Sequence, residues 1–380
     1  MKKIFLIAGE PSGDALGAAL MRGLKARGDV VFTGIGGPLM EAEGLRSLIE
    51  MEDLCVMGLW DVLGQLPRLL KLIRGVVEEI EKSDPDIVVT IDLPDFNFRV
   101  LQMLKTRGKT KAKRIHYVAP SVWAWRPGRA AHVAKFLDGL MCLFPFEPPY
   151  FTKHKLRAEY VGHPVVDSFR TGDVAAFRSK QQIPEGARTL GLLFGSRESE
   201  VKSMSGVLID TVDLLRERYK NLHLIIPTLK SVEYQVFKLT EKINCPHSIV
   251  IADDVNKWNA FAACDAAIAV SGTVGLELAY AGVPHAITYK MHPVTWGIVK
   301  ALAKTKYAHL GNVLLNEPAF PEFLQGNADP LKIAREIMRI YDVPENAALQ
   351  KEKSEKLGAA MALPAGESPI TKAAGFVFDF

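Results

Sequence analysis

The sequence predicts an α/β protein built from two open, parallel sheets, and three observations carry that expectation. Short β-branched runs alternate along the chain with longer helical patterns, as parallel strands joined by crossover helices do. The 380 residues, 48% hydrophobic and 24% charged, favour two domains that each bury a core of their own. Two glycine-containing polar turns, Gly195-Ser196-Arg197 and Ser271-Gly272-Thr273, each follow an apolar run and each open a helix. Such a turn gathers unpaired backbone N–H groups and the positive end of a helix dipole, which makes a seat for an anion.

In the first half strands are expected at 4–8, 30–33, 87–92, 114–118, 140–144 and 159–161, and in the second at 189–194, 223–227, 248–252, 266–270 and 285–288. The stretch 162–186 holds Pro164, Gly172 and Pro184 with no long apolar pattern, so it reads as the joint. The expected domains are 1–165 and 166–344. The tail 345–380 is expected to complete the first domain, because its end, Phe376-Val377-Phe378-Asp379-Phe380, needs a body to dock on.

Several classes are disfavoured. The apolar start at 4–8 is interrupted by Glu10 and is too short for a signal peptide, which points to a cytoplasmic chain. No segment reaches the roughly 18 apolar residues of a spanning helix. Cys55, Cys142, Cys245 and Cys264 are far apart and read as reduced thiols. The net charge of +4 is modest for a nucleic-acid binder, and none is expected as a partner. Asp84-Pro85-Asp86 spells a metal-binding pattern but precedes its strand, so it reads as a turn; Gly34-Ile35-Gly36-Gly37 is half a dinucleotide fingerprint. Neither a metal nor a cofactor is expected.

Open parallel sheets bind ligands beyond the carboxyl ends of their strands. After the first strand comes Gly9-Glu10-Pro11-Ser12-Gly13-Asp14, where Ser12 and Asp14 either cap the next helix or line a site. After the third comes Asp92-Leu93-Pro94-Asp95-Phe96-Asn97, in which Asp92 is the candidate general base and Asp95 the structural acid. Arg197 brings a planar fork to a phosphate, and Glu277, one turn into the helix opened by Ser271-Gly272-Thr273, suits ribose hydroxyls or simply complements the helix dipole. Two anion seats in the second half, with an acid-bearing first half, point to a nucleotide held in a cleft between facing domains.

Two segments suggest an amphiphile. Trp123, Trp125, Arg126 and Arg129 combine indoles with guanidiniums, and core tryptophans are the competing reading. Between 57 and 80, Leu59, Trp60, Leu63, Leu66, Leu69, Leu70, Ile73 and Val77 form a broad apolar face flanked by Arg68, Lys71 and Arg74. An interfacial helix on a membrane has this pattern, and so does an ordinary buried helix.

These motifs, together with Val56-Met57-Gly58, the run 116–126, Phe144-Pro145-Phe146-Glu147 and Gly162-His163-Pro164, resemble the lipid-A-disaccharide synthases from residue 4 to about 325. The resemblance implies a GT-B glycosyltransferase that joins UDP-2,3-diacylglucosamine to 2,3-diacylglucosamine 1-phosphate, giving a β-1,6 disaccharide 1-phosphate and UDP. It implies an acceptor site in the first domain, UDP in the second, and a protein peripheral on the inner face of the cytoplasmic membrane, in contact with its surface lipids. The family's essential aspartate falls on Asp92, its acid near the first strand on Glu10, and its nucleotide-site asparagine on Asn312. The chain departs from the family at Phe194, Ala119 and Gly311. A 2-epimerase or a lipid-linked N-acetylglucosaminyl transferase of similar build is the rival enzyme, and a non-catalytic nucleotide-binding module the rival class.

Overall fold

The computed structural model of the chain describes residues 1–51, 54, 62–253 and 255–380. It divides into two units, Met1–Asp167 with Met361–Phe380, and Ser168–Ala360.

The first unit is built on six parallel strands: β1 (Lys2–Ala8), β2 (Val30–Ile35), β3 (Ile87–Ile91), β4 (Lys113–Tyr117), β5 (Gly139–Cys142) and β6 (Arg157–Tyr160). Their order across the sheet is β2-β1-β3-β4-β5-β6. Every residue of β3 is buried, which is why it reads as a continuous apolar run: a parallel sheet covered by helices has no solvent face. Gly34 of β2 has φ +143, and a Cβ there would sit 1.9 Å from the Leu6 carbonyl oxygen of β1. Only glycine permits that approach.

Two apolar layers cover the sheet. One contains Ile73, Val77, Ile80, Phe98, Leu101 and Phe136. The other joins Leu20, Met21 and Leu24 of the helix Pro11–Lys25 to Ala373, Ala374, Phe376 and Val377 of the C-terminal helix Pro369–Phe378. The Lys2 ammonium donates to the Phe378 carbonyl, and Arg27 donates to that of Thr371 at 3.1 Å. The tail does not return as one piece, however. The helix Pro344–Met361 lies in the second unit up to Ala360, where Gln350 accepts from the His285 N–H, and only the last 20 residues join the first.

The second unit carries β7 (Arg188–Leu193), β8 (Leu222–Thr228), β9 (His247–Ile251), β10 (Ala266–Val270), β11 (His285–Tyr289) and β12 (Glu322–Leu324), all parallel, in the order β12-β11-β10-β7-β8-β9. This is a doubly wound Rossmann-type order. Eleven strands match the sequence reading to within a few residues. The twelfth, three half-buried residues at the sheet edge, is too short to leave a periodic signal.

Candidate active site

An open sheet binds ligands where consecutive connections leave in opposite directions, because the loops there part and open a crevice. In the first sheet that switch lies between β1 and β3, and in the second between β7 and β10. Glu10 follows β1 and Asp92 follows β3; Gly195-Ser196-Arg197 follows β7 and Ser271-Gly272-Thr273 follows β10. All four motifs thus stand at switch points, a fact of strand order that the sequence does not display.

Asp92 occupies a strained turn. Asp92 and Leu93 have φ of 50° and 43°, and Val118, just past β4, has φ of 81°. Side chains other than glycine pay about 1–3 kcal/mol each for such conformations. Three hydrogen bonds hold the turn: Asp92 N–H to the Tyr117 carbonyl (2.9 Å), and the Asn97 amide to the carbonyls of Asp92 (2.7 Å) and Ile91 (3.2 Å). Burial raises the pKa of the Asp92 carboxyl, partly opposed by the Leu93 N–H. Asp95 differs in every respect: its side chain is 82% exposed and pairs with Arg129 at 3.1 Å.

Around β1 the structure separates the motif's acids. Glu10 sits half-buried at the N-cap of the helix Pro11–Lys25 in extended conformation, without capping it by side chain, and Ser12 is exposed in the first turn. Asp14, expected to cap the helix it stands in or to line a site, instead caps a different helix. Its buried carboxylate accepts from the N–H groups of Gly37 (2.9 Å), Leu39 (3.0 Å) and Met40 (3.0 Å). Those amides open the short helix Pro38–Ala42 and need acceptors.

Past β4 and β5 lies an aromatic group. The Trp123 indole donates to Glu147 at 3.1 Å, and Trp123 meets Phe146 edge-on. Arg126 is exposed, its guanidinium 3.9 Å from the Trp125 ring. Glu147 also accepts from the N–H groups of Leu143 and Phe144, and burial pushes its pKa up to about 7. Sequence reasoning gave Glu147 no role of its own, since an acid before two prolines has the composition of a surface turn.

In the second unit Gly195 has φ +107, and a Cβ there would lie 2.8 Å from that of Glu200. The first anion seat is partly filled by the protein itself: Glu200 accepts from the Ser196 N–H at 3.0 Å and lies 3.4 Å from the Arg197 guanidinium. A glutamate in the first turn of the helix Glu198–Arg218 folds back over its start, as in a capping box. The Arg197 side chain stays 76% exposed. At the second seat the Ser271 N–H donates to the Thr288 carbonyl (2.9 Å), Gly272 has open space where a Cβ would stand, and among the described residues no side chain caps the helix Thr273–Tyr280. Glu277, on that helix, is held by Lys257 at 2.9 Å.

Asn312, expected at the nucleotide, is buried and bonded to its own loop. Its amide nitrogen donates to the Phe320 carbonyl and to Glu322, and its oxygen accepts from the Phe320 N–H, all at 2.8 Å. It fastens the loop before β12. The helix Val62–Ser83 also differs from expectation. Leu69 and Ile73, expected to face a membrane, pack in the core of the first unit, while Arg68, Lys71 and Arg74 are exposed and Leu70 partly so. Sheet burial has claimed one stripe of the apolar face. Leu59, Trp60, Cys55 and Val56-Met57-Gly58 lie outside the described residues, as do the side chains of Leu63 and Leu66. Among the described residues no helix is long and apolar enough to cross a membrane.

Beneath the second seat lies a histidine pair. His285 Nδ1 donates to the Val283 carbonyl (2.7 Å) and Gly311 N–H donates to His309 Nδ1 (2.9 Å). The remaining proton therefore sits on His309 Nε2, which donates to His285 Nε2 at 2.8 Å. Phe320 stacks on both rings, and a Cβ on Gly275 of the helix Thr273–Tyr280 would lie 3.0 Å from His309 Nε2. Both rings are thus neutral, and burial lowers the pKa of His285 to about 4 and that of His309 well below the usual value. A histidine depressed on folding stabilises fully above its unfolded pKa, near 6.5, and the stability is lost as pH falls toward the folded value. From His285 alone, unfolding at pH 5 is expected to be easier than at pH 7.5 by about 2 kcal/mol. Urea midpoints of the second unit at the two pH values check this, and equal midpoints would contradict a neutral pair.

Solved structures with the same two-sheet build include UDP-GlcNAc 2-epimerase from Neisseria meningitidis bound to UDP-GlcNAc (TM-score 0.64, 9% identity, 100% of this chain and 99% of that one) and MurG from Acinetobacter baumannii (TM-score 0.58, 12% identity, 100% of both). The fold is thereby the GT-B fold of nucleotide-sugar glycosyltransferases and related enzymes. Sequence comparison is more particular. The family model described as lipid-A-disaccharide synthetase matches residues 4–368. The lipid-A-disaccharide synthase of Rhodospirillum centenum is 44% identical over 98% of this chain and 92% of its own length, and that of Serratia proteamaculans 39% identical over 92% and 91%. The chain belongs to the lipid-A-disaccharide synthetase family and is a glycosyltransferase of lipid A biosynthesis.

Proposed function

We propose that the enzyme transfers 2,3-diacylglucosamine from UDP to the 6-hydroxyl of 2,3-diacylglucosamine 1-phosphate, with the acceptor on the first unit and UDP on the second. The carrying observation is Asp92, a desolvated carboxyl on a strained turn at the switch point of the first sheet. Desolvation makes it a stronger base than an exposed aspartate, and the three hydrogen bonds fix its backbone against relaxation. Asp92 takes the proton of the 6-hydroxyl as its oxygen forms the bond to the anomeric carbon. The bond to the UDP oxygen breaks on the opposite face, so configuration inverts and the linkage is β-1,6.

Negative charge then collects on the departing diphosphate. The exposed Arg197 guanidinium and the first-turn amides of the helix Thr273–Tyr280 supply preorganised positive charge for it. Glu277 accepts from the ribose hydroxyls, and Glu10, across the switch from Asp92, orients an acceptor hydroxyl. Trp123 and Arg126 flank the acceptor. We further place the protein on the inner face of the cytoplasmic membrane, with Arg68, Lys71 and Arg74 toward anionic head groups.

The test is incubation of the protein with both acylated sugars and mass spectrometry of the products. A disaccharide 1-phosphate with stoichiometric UDP is expected. Release of a free epimerised sugar, or UDP binding without turnover, would replace this reading with one of the rivals that share the fold.

A further inference from the structure

We infer that Lys257 is a positioning residue that sets Glu277 for the ribose of the nucleotide, and so makes the second unit select ribonucleotides. The inference rests on the nucleotide reading above and adds a residue to which neither sequence nor fold assigns a role.

The helix Asn256–Ala262 follows β9 and is anchored at its start and along its body. Asp253 accepts from the N–H groups of Val255 (2.9 Å) and Asn256 (2.6 Å), fixing its start. Trp258 is fully buried and packs edge-on against Phe261 and Phe169, fixing its body. Lys257 therefore projects from a rigid base. Its ammonium lies 4.8 Å from the Trp258 ring centroid and 2.9 Å from Glu277 Oε1, with the lysine side chain 20% and the glutamate 22% exposed. Indole and carboxylate together define one direction for the lysine head, in surroundings dry enough to strengthen both attractions.

On the other side, Thr273 and Glu277 are four residues apart on one helix face, about 6 Å along its axis. A diphosphate at the helix start then places its ribose near Glu277. Lys257 is the one described residue that bonds the Glu277 carboxylate, and it engages only Oε1. The lysine thus holds one oxygen and leaves Oε2 to accept from vicinal hydroxyls. Without it, a glutamate with three rotatable bonds must be ordered by the ligand itself, at a cost in affinity.

The experiment is calorimetric titration of the full chain with UDP and with 2′,3′-dideoxyuridine 5′-diphosphate, for wild type, Lys257→Met, Lys257→Arg, Glu277→Gln and the double variant Lys257→Met/Glu277→Gln. Wild type is expected to prefer UDP by about tenfold or more, the worth of a hydrogen bond to a charged acceptor. Lys257→Met should weaken UDP binding while leaving the dideoxy affinity unchanged, so the preference collapses. Lys257→Arg should restore most of it, and Lys257→Met should add nothing in the Glu277→Gln background. Equal weakening of both nucleotides, or a preference retained in Lys257→Met, overturns the positioning role while nucleotide binding stands. A wild-type protein that binds neither nucleotide overturns the underlying reading, and this inference with it.

Discussion

Asp92→Asn is expected to lower kcat by about 10²–10⁴-fold while leaving the protein as stable as wild type or slightly more so. The two halves of that expectation have one cause. Burial raises the Asp92 pKa, which means the folded state disfavours the carboxylate that the chemistry requires. An amide has nearly the same shape, keeps the backbone bonds to Tyr117 and Asn97, and removes the cost of a desolvated charge. Activity falls because no proton acceptor remains. The same shift has a sign in the pH profile: the base must be ionised, so kcat/KM should fall with acidity at a pH above the ordinary aspartate range. Single-turnover rates and melting temperatures of the pair settle the matter. Turnover within about tenfold of wild type would falsify the general-base assignment.

Asp14→Ala should give the opposite signature, a loss of stability of about 3 kcal/mol or more. The buried carboxylate is the acceptor for three backbone N–H groups, and alanine leaves them unpaired at the start of the helix Pro38–Ala42. Each buried donor without a partner costs about 1–3 kcal/mol. Asparagine restores one oxygen but turns an N–H₂ toward donors, so it should recover little. Urea midpoints of the first unit measure the effect, and a shift below about 1 kcal/mol would show that solvent or another group satisfies those amides. Asp92 and Asp14 both follow strands that flank the switch point, and each stands among glycine or proline. Only the partners of their oxygens separate the proposed base from the buttress.

Much of the architecture was legible because its signals are local. Apolar runs such as Ile87–Ile91 and Ala266–Val270 are buried on both faces, so their period and composition identify them without reference to neighbours. The motifs after β1, β3, β7 and β10 were legible for the same reason, since a strand end followed by glycine and a helix start is a sequence pattern. What the residues bond was not legible. Glu200 reaches back to Ser196, Asn312 to Phe320 and Glu322, and Lys257 across to Glu277. Of these only the Glu200 contact lies within one helical turn.

The helix Val62–Ser83 shows the limit most plainly. Its composition fits either a membrane face or a core face, and packing decided for Leu69 and Ile73 in favour of the core. Sequence by itself determined the α/β class, eleven of the strands and the motifs at their ends, because backbone propensity and hydrophobic period act over a few residues. Tertiary structure alone decided strand order, and with it the two switch points, the strain at Asp92, and which polar side chains bond within the fold. Those depend on contacts beyond the reach of a helical or strand period, such as Asp92 with Tyr117 and Lys257 with Glu277, whose energies no local pattern encodes.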